Sequence, residues 1–221
     1  MTDTWERPFR EKYKELLPLF SRALEKAEKL SKDESLKKLF PDNTPRVISR
    51  IKSEDSTVEK IKRKIPTGDQ FETWITKQEF EKILFDERGI GDFIGIRLIF
   101  PRVEDYGSVH DTFVTNYLVR DHKFKVTHGR DIKNRTSGYT SVHSHVLVPF
   151  KQKGKNYEIP LELQLNSEMM NVWMEKQHEL IYKAQEINLK TEQYLPELYS
   201  ILADLTGLLE KMIFLPDKYR K

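Results

Sequence analysis

From Arg10 to about Leu39, the residues Leu16, Leu17, Leu19, Phe20, Ala23, Leu24, Ala27 and Leu30 recur at helical spacing with charges between them. This pattern predicts one or two amphipathic helices. "PDNTP" at 41–45 interrupts it, and "RVISRIK" is short and β-branched, which predicts a strand. "SEDSTVEKIKRK" places Ser53 as a cap, acidic residues in the first turn and basic ones in the last, the order a helix dipole favours. "DFIGIRLIF" at 92–100 is a nearly continuous apolar run and predicts a strand buried on both faces, with Asp92 at its start. "YGSVHDTFVTNYL" predicts a helix and "KFKVTH" a short strand. "YTSVHSHVLVPF" and "YEIPLELQLN" predict two more strands around the turn-like "KQKGKN". A long helix is expected from Ser167 to about Ile187, and another over "YLPELYSILADLTGLLEKMIF".

Composition narrows the class. Hydrophobic residues make up 38% of the chain, enough for a real core despite 33% charged residues. The net charge is only +3, so a basic site would be a local concentration, and bulk charge does not indicate non-specific nucleic-acid binding. The absence of cysteine excludes disulfides, thiolate metal sites and cysteine nucleophiles, and fits a reducing compartment. No apolar run approaches the ~18 residues of a membrane span, and the N-terminus lacks a signal-type apolar core. The reading is a soluble cytoplasmic protein.

Candidate chemistry begins at "RIKSEDSTVEKIKR", 50–63. At about 100° per residue, Ser56, Lys60 and Arg63 share one helix stripe, opposite Val58, Ile61 and Ile65. Arg50 and Lys52 share a strand face by the period of two. Two readings stand: a solvated lysine-rich helix, or a cationic set surrounding a polyphosphate. Asp92 and Arg97 put charge into an apolar run, which is costly unless paired or holding a ligand; a mutual ion pair and a functional role both fit. In "IPLELQLN", Ile159, Leu161, Leu163 and Leu165 point one way, so Glu162, Gln164 and Asn166 point the other. Asp92 and Glu162, each on a predicted strand, have the oxygen chemistry to hold Mg²⁺ for phosphoryl movement.

On the following helix Asn171, Glu175, His178 and Tyr182 form a polar stripe, with His178 read first as a structural histidine. "NRTSGYTSVH" offers Tyr139 either as a ring for nucleobase stacking or as a surface tyrosine beside a turn, with His143 four residues on. Walker A, GxSxG, HExxH and zinc-type signatures are all missing.

Taken in order, "RIKSEDSTVEKIKR", "DFIGIR", "SGYTSVH", "LELQL" and "MNVWMEKQHELIYK" resemble the synthetase domain of the RelA/SpoT family, most closely the stand-alone small alarmone synthetases. They span residues 50–183. The resemblance implies an α+β fold: a mixed sheet of about five strands flanked by helices, nucleotidyltransferase-like. It divides the chain into an N-terminal helical segment (1–45), a synthetase-like domain (46–190) and a C-terminal helical segment (191–221), packed as one unit. It also implies transfer of the β,γ-pyrophosphate of ATP to the ribose 3′-hydroxyl of GDP or GTP, releasing AMP and giving ppGpp or pppGpp, with Mg²⁺ as cofactor. By position Arg50, Lys52, Ser56, Lys60 and Arg63 resemble the ATP-binding set. Asp92 resembles the Mg²⁺ ligand and Arg97 a phosphate-site residue. Tyr139 resembles the ring that stacks on the acceptor guanine, with His143 on its phosphates. Glu162 is similar to the family's catalytic carboxylate, as base or second metal contact, with Gln164 and Asn171 placing the acceptor nucleoside.

Two departures stand out. Asn166-Ser167 occupies the place where the family often has Arg-Thr, and the loop "GRDIKNRTSGY" is short, leaving Arg130 and Lys133 as candidates for acceptor phosphates. These departures keep open a toxin-type relative that pyrophosphorylates the tRNA 3′ end or an adenine nucleotide. A catalytically silent nucleotide- or RNA-binding module is the rival from another class; retention of two carboxylates beside a phosphate site argues against it. Small members of the family commonly form homotetramers, and the C-terminal apolar stripe offers either such an interface or packing on its own domain. No hydrolase segment accompanies the motifs, so alarmone breakdown is not expected.

Overall fold

Alternation along the last strand sets the two sides of the molecule: Ile159, Leu161, Leu163 and Leu165 are buried, while Glu162 and Gln164 stand half-buried on the opposite face. The computed structural model describes residues 5–32, 34–64, 92–103, 105–134, 140–172 and 174–175, with 201, 204, 205 and 208; the side chains of 35, 63, 64, 130–134 and 140 fall outside this description. In chain order the elements are α1 (Glu6–Ser31), α2 (Glu34–Leu39), β1 (Arg46–Ile51), α3 (Glu54–Lys64), β2 (Ile94–Phe100) and α4 (Tyr106–His110). A π-helix (Asp111–Asp121) continues α4, and β3 (Lys125–Asn134), β4 (Thr140–Gln152) and β5 (Lys155–Ser167) follow. Helix resumes at 168.

The five strands form one sheet in the order β1-β2-β5-β4-β3. Only the central β2–β5 pairing is parallel; the others are antiparallel. The architecture is the expected α+β type.

On one face lie Ile94, Ile96, Leu98, Leu161, Leu163, Val142 and Val146, all buried. Helix α1 covers that face because Phe9, Tyr13, Phe20, Ala23, Leu24 and Ala27 recur on one side of it. Phe20 stacks on Phe93 with ring centroids 5.3 Å apart, and each such buried ring contributes about 1.5–3 kcal/mol. Alpha4 is tied to the same face by His110, whose Nε2 lies 3.0 Å from Ser144 Oγ and whose Nδ1 lies 3.1 Å from Asp111 Oδ1.

Local chemistry places the ends. Ser53 Oγ accepts from the Ser56 amide at 3.1 Å, starting α3. Ser167 Oγ accepts from the Met170 amide at 3.2 Å, starting the helix after β5. Lys153 and Gly154 have φ values of 47° and 78°, the left-handed pair a two-residue hairpin requires between β4 and β5.

Several expectations are corrected. β2 begins at Ile94, so Asp92 precedes the strand rather than opening it, and half-buried Gly95 and Arg97 alternate with buried neighbours instead of being sealed on both faces. The "KFKVTH" strand is longer than expected: β3 runs through Asn134, so within 129–134, read as loop, residues 131–134 pair with β4 after a register shift that follows His128. No apolar alternation marks this edge strand, and backbone pairing carries it. The predicted helix "YGSVHDTFVTNYL" exists but widens to π geometry from Asp111. Leu17, expected in the core, is 38% exposed. Among the described residues, no helix is long and apolar enough to cross a membrane. Ile201, Leu205 and Leu208, in the C-terminal apolar stripe, stand exposed.

Candidate active site

Register aligns Arg50 (β1), Gly95 (β2), Glu162 (β5), His145 (β4) and His128 (β3) in one row across all five strands. The next row contains Ile48, Arg97, Gln164, His143 and Asp131. Both lie on the face away from α1, where the period of two puts the residues that alternate with Leu161, Leu163 and Leu165. A cleft of about 140 Å³ opens on the β1 side, bounded by Ile48, Arg50, Gly95, Ile96, Arg97, Glu162 and Gln164. Gly95 forms its floor: a Cβ there would lie 3.8 Å from Arg50 Nε and 3.6 Å from the Glu162 carbonyl oxygen. With only a hydrogen at that position, Arg50 lies along the sheet toward Glu162.

Glu162 is the hub. Its Oε1 stands 3.2 Å from His143 Nδ1, and its Oε2 accepts from Gln164 Nε2 at 3.0 Å. Burial disfavours its charge, but the His143 hydrogen bond and the charges of His143, His145 and Arg50 prevail, so the carboxyl is lowered to about 2. Glu162 is therefore an anion throughout the physiological range, and a very weak base.

A second carboxylate lies at the junction of β1, α3 and β2. Asp92 Oδ1 is 2.6 Å from Lys60 Nζ, and Asp92 Oδ2 is 3.2 Å from Lys52 Nζ. Burial lowers the Lys52 ammonium; Asp92 raises it, and the nearby charges of Lys60 and Arg50 lower it further. Along α3, Val58 and Ile61 are buried and Lys60 turns toward Asp92, while the Arg63 side chain and Ile65 of the expected stripes lie outside the described residues. Ser56 is exposed in the first turn, where its Oγ accepts from Ser53 Oγ at 2.8 Å.

Arg97 joins strand to helix: its Nε donates to Gln164 Oε1 at 3.0 Å and a terminal nitrogen donates to Asn171 Oδ1 at 3.2 Å. Asn171 Nδ2 then donates to Glu175 Oε1 at 3.0 Å, so the first two members of the predicted polar stripe do meet. Asn166 is fully buried at the end of the β5 row.

The structure thus gathers Arg50, Lys52, Lys60, Asp92, Arg97, His143, Glu162, Gln164 and Asn171 on one side of the sheet and its adjoining helices. Tyr139, His178 and Tyr182, and the side chains of Arg63, Arg130 and Lys133, lie outside the described residues; the register sets Lys133 opposite Ser141. Sequence reasoning missed His145 and His128. The available signal was His143-x-His145 on an alternating strand, which puts both rings on one face. It also missed a clamp from α1: Arg10 reaches Glu54 at 2.8 Å and Asp55 at 2.6 Å, Glu6 meets Lys62 at 2.5 Å, and the Tyr13 hydroxyl donates to the Lys52 carbonyl.

A mixed five-stranded sheet bearing two carboxylates among converging cations defines an α+β domain suited to a polyanionic ligand. The chain belongs to the RelA/SpoT family: residues 49–187 match the "Region found in RelA / SpoT proteins". Solved structures share the fold. Small alarmone synthetase 1 from Bacillus subtilis, bound to its product pppGpp, has 20% identity and a TM-score of 0.65, covering 92% of this chain and 95% of that one. The same enzyme bound to AMPCPP gives 21% and 0.58, covering 93% and 100%. A GTP pyrophosphokinase family protein from Streptococcus pneumoniae gives 20% and 0.64, covering 91% of each. No curated protein sequence matches the chain.

Proposed function

We propose that the protein transfers the β,γ-pyrophosphate of ATP to the ribose 3′-hydroxyl of GDP or GTP. The oxygen bridging the α- and β-phosphorus leaves with AMP as its bond to the β-phosphorus breaks; a new bond joins the β-phosphorus to O3′, and the hydroxyl proton passes to solvent. The observation that carries this reading is the flanking of ionised Glu162 by Arg50 on one side and by His143 and His145 on the other. Family membership and the nucleotides held by the Bacillus subtilis relative support it.

Arg50, Lys52 and Lys60 neutralise the donor phosphates, joined by Ser56 and Arg63, while Arg97 holds the reacting phosphates above the cleft. Gln164 and Asn171 position the acceptor nucleoside, Tyr139 stacks on its base, and His143, Arg130 and Lys133 serve its phosphates. Glu162, too weak a base to hold a proton near neutrality, accepts a hydrogen bond from the 3′-hydroxyl and orients it for attack.

The donor chemistry suits Mg²⁺, which takes one or two carboxylates and completes its shell with phosphate oxygens and water. Asp92 already gathers two ammonium groups, and among the described residues no group of three His, Asp or Glu side chains forms a self-sufficient metal cage. Asp92 and Glu162 would hold the ion, which when bound supplies charge neutralisation on the phosphates. Self-association through the stripe containing Ile201, Leu205 and Leu208 belongs to the same proposal and is read by light scattering.

Thin-layer chromatography with γ-³²P-ATP and Mg²⁺, offering GDP, GTP, ATP or bulk tRNA separately, tests the reading. A labelled guanosine product is expected. Label confined to tRNA or an adenosine product assigns the toxin-type reaction, and no transfer favours a binding module.

A further inference from the structure

The row through Glu162 does not end at the carboxylate. Beyond it lie His145, its cross-strand partner on β4, and His128, the partner of His145 on β3. The two rings meet at 6.0 Å between centroids and 80° between planes. An edge-to-face pair leaves ring nitrogens at the periphery, and among the described residues neither imidazole forms a hydrogen bond. His145 is half-buried and His128 exposed, so the pair leads from the centre of the sheet toward solvent.

Resting on the proposed reaction, we infer that His145 and His128 form an acceptor-side subsite that donates hydrogen bonds to the 5′-phosphate oxygens of the acceptor nucleotide. Two observations converge on this assignment. The permanent cations Arg50, Lys52 and Lys60 occupy the β1–α3 side of Glu162, where the donor phosphates fit, so the acceptor must approach from the β4–β3 side. Neighbouring strands are about 4.8 Å apart, and the two strand spacings from Glu162 to His128 suit a nucleoside whose 3′-hydroxyl meets the carboxylate and whose 5′-phosphates lie at the far end.

Steady-state kinetics on the full chain test this with His145→Ala, His128→Ala and His145→Gln, using GDP, GTP and unphosphorylated guanosine as acceptors. The alanine variants are expected to raise the KM for GDP and GTP about tenfold, the loss expected for one charge-assisted hydrogen bond. The KM for ATP should stay within about twofold, and guanosine turnover by His128→Ala should not change. His145→Gln, whose amide also donates, should recover most of the acceptor affinity. An unchanged acceptor KM, a parallel rise in the KM for ATP, or an equal effect of His128→Ala on guanosine overturns the subsite. A wild-type protein that labels no guanosine acceptor overturns the parent reaction instead, so the two failures are distinguishable.

Discussion

The Lys60 ammonium stands 2.6 Å from Asp92 Oδ1, and Lys52 shares the same carboxylate at 3.2 Å, with all three side chains 12–16% exposed. The carboxylate prevents mutual repulsion of the two lysines in a poorly solvated corner. Asp92→Asn removes that restraint and leaves two partly buried cations facing each other. Unfolding free energy should fall by about 3 kcal/mol in urea titrations. Transfer should fall by at least about a hundredfold, yet metal-free ATP binding, measured by calorimetry, should persist or tighten because phosphate takes the place of the lost carboxylate. Loss of ATP binding together with transfer would show that Asp92 builds the cradle rather than balancing it.

Arg10 acts at a distance. Its contacts with Glu54 and Asp55 hold the start of α3 against α1, while Tyr13 of α1 fixes the Lys52 carbonyl. Arg10→Ala should therefore raise the KM for ATP several-fold with little change in kcat, and Arg10→Lys should recover part of the loss. A fall in kcat at unchanged KM would contradict this positioning role.

Glu162 makes stability depend on acid. Its carboxyl is lowered from 4.5 to about 2, so its contribution is complete above about pH 4.5 and is lost as pH falls through about 2. The difference corresponds to about 3 kcal/mol. Glu162→Gln should cost most of this at pH 7, and the gap between wild type and variant should narrow steadily as denaturant titrations move from pH 5 toward 3. A gap independent of pH would place the interaction in packing rather than in charge.

Gly95 is constrained by the site more than by the fold. A Cβ at this position meets its neighbours at ordinary van der Waals distances, so Gly95→Ala should shift Tm by no more than a few degrees. Gly95→Val adds methyl groups where Arg50 lies and should reduce transfer at least about tenfold while circular dichroism stays native-like. Activity of the valine variant equal to wild type would remove Arg50 from the donor site.

Much of this arrangement was legible from periodicity. Leu161, Leu163 and Leu165 assigned Glu162 and Gln164 to the opposite face, and Ser53 marked the start of α3 as found. What escaped depended on partners distant in sequence. Lys52, Lys60 and Asp92 were each singled out, but their meeting follows from the β1–β2 register. Nothing in the local pattern separates Arg10 and Glu6 from solvated charges on an amphipathic helix. The far half of β3 carries glycine and mixed charges with no apolar alternation in its sequence, so it read as a loop.

The parallel pairing of β2 with β5 joins two distant stretches of the chain in one site. β5 inserts between β2 and β4, bringing Glu162 beside Gly95. The cationic corner of β1, α3 and β2 is thus encoded before Phe100, whereas the carboxylate beside it comes from the last strand, so a chain truncated ahead of β5 would keep both lysines and lose Glu162.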